Sequence, residues 1–248
     1  VRRLTWFGLD ASGATGPPIE DWNPIRTREN RVAEERGLTA GEARLCQMIY
    51  RDAIPTGAVR IIKRKVGFGG FTPFNNINAS EESYQADYIG THLYKVPPNA
   101  HPQWATDAHW FVHELAHVWQ YYVGMPKAPM FFKSRRDARR LLCKRTKTID
   151  LDTYDGHAAP YAYVIDRDGL DLLDFNLEHQ AEIIADYFAW TLWDLRPDFQ
   201  WSDWPVPRIE QLIAVLSRFN QDPSYPRRTT IRNERRAGRR LPPAFERR

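Results

Sequence analysis

The stretch from Thr106 to Gly124, TDAHWFVHELAHVWQYYVG, limits what this chain can fold into more than any other. Thr106 or Asp107 can cap a helix start, and Gly124 followed by Pro126 can end it, with no Gly or Pro in between. Trp110, Val112, Leu115, Val118, Trp119 and Tyr122 supply bulky apolar surface, so this helix should be largely buried. Inside it lie His113, Glu114 and His117 in the pattern HExxH. Residues four apart on a helix have Cβ atoms about 5–6 Å from each other, so two imidazoles face one point and form a zinc-chelating pair. Glu114 sits about 100° further round the same turn, which suits a general base acting on water at a metal better than a ligand. A carboxylate and two histidines are costly to bury in an apolar helix unless something binds them.

A catalytic zinc takes three protein ligands and leaves a position for water. The second long helix expected, about Leu177 to Leu195 with Asn176 as cap and Pro197 as stop, carries Glu182 and Asp186 on one face. The reading places Glu182 as the third ligand and Asp186 behind it, accepting the free ring N–H of a ligating histidine, His113. Asp152, Asp155 and His157 rank below Glu182 because no rigid element places them. Gln120 and Val123 stand where a metzincin needs Gly and His, which excludes that class. His109, four before the motif, reads as a surface or capping residue near the helix start. His92, His101 and His179 have no informative spacing.

Around these helices the chain divides into a leader or linker over 1–37, a central domain over 38–221, and a basic tail over 222–248. Thr39 and Glu42 make a capping box for a helix through Tyr50. Strands are expected over 59–65 and 87–96, with 67–80 a long loop or irregular hairpin between them. The basic stretch 133–147 reads as a short exposed helix, 148–175 as a substrate-facing loop, and 208–220 as a last core helix. At 248 residues the chain can bury a sizeable core, and its nine Trp are ample packing material. Cys46 and Cys143, the two cysteines, give neither a disulfide framework nor a metal spacing.

The net charge of +4 is unevenly spread: nine arginines against Glu234 and Glu246 make 227–248 net +7, leaving −3 for the rest. Without aromatic interleaving beyond Phe245 this tail is a solvated arm, not a specific nucleic-acid site. No apolar run approaches the roughly 18 residues of a membrane span, and the N-terminus lacks the apolar core of a signal peptide. The chain starts at Val1, which fits a fragment or processed product.

HExxH followed by ExxxD, here Glu182 to Asp186, resembles the gluzincin, thermolysin-like metallopeptidases. The segments HELAHVWQ, MIYRDAIPTGAVRI and EHQAEIIADYF resemble more narrowly the zinc metallopeptidase domains attached to or encoded beside VgrG and Rhs proteins of type VI secretion. That resemblance covers about residues 38 to 195. It implies an α+β, zincin-like (gluzincin) fold with two long metal-binding helices and a small sheet. It further implies a Zn2+-dependent peptidase with ligands His113, His117 and Glu182, base Glu114, and Asp186 behind the metal. A strand over the cleft would bind peptide edge-on, with 87–96 the expected one. Oxyanion or substrate contacts are sought among Tyr154, His157, Tyr161 and Tyr163. The implied setting is an antibacterial effector, cytoplasmic before delivery and active in the periplasm of a target cell. Its partners there would be a peptide or protein substrate, secretion spike proteins and a cognate immunity protein. A zinc-stabilised adaptor without turnover, and a cell-wall amidase using the same site, are the competing readings.

Overall fold

The computed structural model describes residues 32–64, 70–90, 102–125, 136, 139–140, 160–196 and 207–227. Its order is β1 (Val32–Arg36), α1 (Ala40–Tyr50), β2 (Arg60–Arg64), β3 (Gly70–Phe71), β4 (Asn76–Ser80), α2 (Pro102–Tyr122), α3 (Leu177–Trp193), α4 (Ile209–Val215) and α5 (Ser217–Gln221). The class is α+β: a four-stranded mixed sheet and two packed helices, α2 and α3, that carry the His and Glu/Asp groups.

The sheet runs β1-β2-β4-β3. β1 is antiparallel to β2, β2 is parallel to β4 in the register Ile61 with Ile77, and β3 closes antiparallel on the outer side of β4. Two expectations change here. Residues 32–36, assigned to the leader, form a strand paired along β2. The strand expected over 87–96 is absent from its described part, because 87–90 is a turn in which the Asp87 carboxylate accepts from the backbone N–H of Ile89 and Gly90. Strand pairing instead falls in the span read as loop or irregular hairpin, where β3 and β4 make the hairpin.

α1 begins as its capping box predicts: Thr39 Oγ1 accepts from Glu42 N at 3.2 Å, and Glu42 Oε2 accepts from Thr39 N at 2.8 Å. Glu42 does more than cap. Fully buried, it takes a two-pronged pair from Arg36 at 2.7 and 2.8 Å and a further bond from Tyr88 N at 3.0 Å. One carboxylate therefore ties β1, α1 and the 87–90 turn together.

α2 starts at Pro102, a turn earlier than expected, where proline's missing N–H costs nothing. It ends in a Schellman arrangement: Gly124 has φ +76, its N–H bonds to Tyr121 O, and Met125 N–H bonds to Gln120 O at 2.9 Å. α3 is capped as expected, with Asn176 Oδ1 accepting from His179 N at 3.0 Å. The last expected helix breaks at Leu216 into α4 and α5. Phe219 of α5 meets Tyr50 and Trp119 edge-on, and Trp119 Nε1 donates to Pro223 O at 2.8 Å, fixing the C-terminal helices onto α2.

Cys46 is buried, and burial pushes its thiol up to about 12, so it is an inert packing residue; Cys143 lies outside the described residues. The tail and most of the 133–147 stretch lie outside them too, although Arg136, Arg139 and Arg140 are helical and exposed.

Removing one partner of a buried, fully bonded ion pair costs about 3–5 kcal/mol. Glu42→Ala is therefore expected to lower unfolding free energy by about that much in urea denaturation. A loss under 1 kcal/mol would show that Glu42 does not join the three elements.

Candidate metal centre

α2 presents His109, His113 and His117, each four residues from the next, and α3 presents Glu178, Glu182 and Asp186 at the same spacing. The helices match these stripes in antiparallel order, giving three rungs. His117 Nε2 lies 3.2 Å from Glu178 Oε2, His113 Nδ1 2.8 Å from Glu182 Oε2, and His109 Nε2 2.9 Å from Asp186 Oδ1.

The expected placement thus shifts by one turn of α3. Glu182, expected at the metal, stands behind His113 and accepts its Nδ1–H. The carboxylate that faces both Nε2 atoms is Glu178, 3.4 Å from His113 and 3.2 Å from His117. Asp186, expected behind His113, accepts instead from His109 and from Tyr163 Oη at 2.7 Å. His109 is not a surface cap: with α2 starting at Pro102 it is well inside the helix and fully buried. Glu178 was not singled out from the sequence, although its position four before Glu182 puts it on the same face of α3.

Proton placement follows from the partners. His113 Nδ1–H donates to a carboxylate, and His117 Nδ1–H donates to Gln120 Oε1 at 2.8 Å. Gln120 is itself oriented by donating Nε2–H to Leu177 O at 2.8 Å and Gln180 Oε1 at 3.2 Å. Nε2 of His113 and Nε2 of His117 lie 3.2 Å apart and both face the Glu178 carboxylate, so that once the proton on His113 Nε2 is lost their lone pairs converge on one point. Positive charge makes that arrangement favourable, either a proton on one Nε2 or a metal ion in its place. Two imidazoles and one carboxylate, with hydrogen bonds behind the imidazoles fixing the tautomers, are a donor set that fits zinc.

The electrostatics agree. Burial works against a charged His113, but Glu178 and Glu182 outweigh it and raise the imidazole to about 10. Burial also works against a charged Glu178, yet His117 and His113 bring its carboxyl well below the usual carboxylate range. Asp186 is held above its usual range by burial and by the Glu182 charge, against the pull of His109 and Tyr163.

Burial distinguishes the rungs. The side chains of His117 and Glu178 are 13 % and 25 % exposed, whereas those of His109 and Asp186 are 0 % and 5 % exposed. The grouping of His109, Glu182 and Asp186 has its atoms within metal-ligand reach. It is closed to solvent, however, and its oxygens are already engaged by His113 and Tyr163. A metal that must meet a substrate belongs at the outer rung.

Glu114 is buried next to the site, and its Oε2 accepts a hydrogen bond from Thr72 Oγ1 at 2.6 Å. The Tyr161 ring lies 5.6 Å from that of His113, and burial together with the charges of Glu178, Glu114 and Glu182 raises its phenol so that it stays protonated. Tyr163 faces Asp186, away from this position. Tyr154, His157, Asp152 and Asp155 lie outside the described residues, as do His92 and His101.

Fold and site together define an α+β chain whose two packed helices carry an HExxH-centred candidate metal site. The structure is similar to that of the effector domain of VgrG2b from Pseudomonas aeruginosa, at 22% identity, over 76% of this chain and 84% of that one, with a TM-score of 0.44. No family model and no curated protein matches the chain. Among the described residues no helix is long and apolar enough to cross a membrane.

Because zinc must displace the proton that His113 holds up to about 10, metal uptake should release protons. The sign is that apparent affinity rises with pH, by about tenfold per unit between pH 7 and 9. Competition with a chromophoric chelator across that range checks it, and a flat profile would show that His113 Nε2 carries no proton for the metal to displace.

Proposed function

We propose that this chain is a zinc-dependent hydrolase of peptide bonds, with His113, His117 and Glu178 as ligands and Glu114 as general base. The single observation that carries the reading is the convergence of two Nε2 lone pairs and a Glu178 oxygen at the solvent-facing end of the ladder, beside a buried Glu114. Among the described residues three donors converge, the number a catalytic zinc takes from the protein.

Zinc held there supplies Lewis acidity and draws the pKa of a water towards about 7. The residues do the rest. Glu182 and Gln120 hold the two imidazoles in the tautomer that presents Nε2. Glu114 takes the proton from the attacking water and delivers it to the leaving amine. Tyr161, a neutral phenol beside His113, donates its O–H to the carbonyl oxygen as that atom gains charge. Tyr163 has no part in this step, because its hydroxyl is committed to Asp186.

Delivery as an antibacterial effector, by a secretion spike and against an immunity partner, is supported by the resemblance of the three sequence segments to such domains. It is the part of the reading furthest from the chemistry.

Two measurements test the chemistry. Glu178→Ala should lower zinc affinity by more than Glu182→Ala, whose loss should stay within about 10–100-fold because it acts through His113. The opposite order would return Glu182 to the metal. With zinc-loaded protein and a proteome-derived peptide library, mass spectrometry should find new N-termini. Glu114→Gln should bind zinc equally and lower cleavage by about 10²–10⁴-fold. Equal toxicity of wild type and Glu114→Gln when each is directed to a bacterial periplasm would favour a zinc-stabilised adaptor. Release of peptide from peptidoglycan with the library uncut would move the same chemistry to a cell-wall amide.

A further inference from the structure

The segment from Gly70 to Phe74, which opens the β3–β4 hairpin, lies against α2. A Cβ at Gly70 would overlap the Trp110 ring, so the strand backbone can lie against the helix only with glycine there. Two residues on, Thr72 Oγ1 donates to Glu114 Oε2 at 2.6 Å. Two further, the Phe74 ring meets Tyr121 edge-on with centroids 5.6 Å apart. Alternate residues of an extended segment advance about 6.7 Å and four residues of a helix about 6 Å, so the step from Gly70 to Thr72 matches the step from Trp110 to Glu114. The register of a hairpin on a helix therefore decides which side chain meets the base.

We propose that Thr72 is a positioning residue for Glu114, holding one carboxylate oxygen so that the other is presented to the water that Glu114 deprotonates. This rests on the hydrolase reading above. A glutamate carboxylate on three rotatable bonds, buried beside an apolar helix face, has several orientations. A short hydrogen bond from a buried hydroxyl to one oxygen leaves the other in a fixed direction, and Thr72 is only 8% exposed. The hydroxyl also leaves Glu114 able to carry and return a proton, whereas a cation at this place would hold it ionised. Thr72 acts through Glu114, so its effect should fall on the rate and not on binding.

The test uses the zinc-loaded chain with Thr72→Val, which keeps the shape and removes the hydroxyl, and Thr72→Ser, which keeps the hydroxyl. On the best-cleaved peptide of the library, Thr72→Val should lower kcat by about 10–100-fold with KM within about twofold. Thr72→Ser should recover kcat to within about threefold of wild type, which a packing role of the methyl group would not allow. Independently of turnover, urea unfolding of Thr72→Val, Glu114→Ala and the double variant should be non-additive by about tenfold in the unfolding equilibrium constant. Additive unfolding, or a Thr72→Val enzyme as fast as wild type, overturns the proposal. If zinc-loaded wild type cleaves nothing, the hydrolase reading fails by itself. The unfolding cycle then decides alone whether Thr72 holds Glu114, coupling upholding the contact and additivity ending it.

Discussion

Two imidazole Nε2 atoms facing each other 3.2 Å apart need positive charge between them, and much of the inner structure is arranged around that need. His113 and His117 keep their protons on Nδ1 because Glu182 and Gln120 accept them there. Both acceptors are held in turn by α3 or its first turn: Glu182 belongs to it, and Gln120 donates to Leu177 O. The packing of α2 on α3 therefore serves both as hydrophobic core and as the device that fixes ring tautomers. Ala108, Leu115, Ala116, Ala181, Ile184 and Ala185 are fully buried, and small residues among them let the helices come close enough for rungs of 2.8 and 2.9 Å.

The ladder also solves a burial problem. Three carboxylates and three imidazoles inside an apolar helix pair would each be costly alone. Matched rung by rung, every carboxylate finds a ring nitrogen, and Tyr163 takes the remaining oxygen of Asp186. The inner rung is closed and acts as support. The outer rung, His117 and Glu178, is partly exposed to solvent. One repeated spacing thus gives a closed end and a solvent-facing end.

Much of this was legible in the sequence, because helix periodicity and caps are local. The HExxH helix, its Gly124 stop, the Asn176 cap and the Thr39–Glu42 box all depend on residues within a few positions of each other. The register between α2 and α3 is not local. Glu182 and Asp186 were read as ligand and support, but the stripe on α3 extends back to Glu178, and sliding one helix by a turn converts one assignment into the other. A turn is about 5.4 Å, which no single-helix argument resolves. What fixes the slide is packing, together with Gln120 binding both His117 and the start of α3.

The sheet was less legible for a similar reason. Residues 76–80, NINAS, carry only one large apolar side chain, and their strand exists because β2 offers a parallel edge and β3 folds back on the other side. The 87–96 segment has the better strand composition, yet Asp87 turns its start by accepting two backbone N–H groups. The consequence reaches the site: an edge read at 87–96 would have put a different strand over Glu114. The observed hairpin, held against Trp110 at Gly70, is what delivers a hydroxyl to that carboxylate. A weak strand by propensity thus takes a defined place through a single close approach to the helix that carries the chemistry.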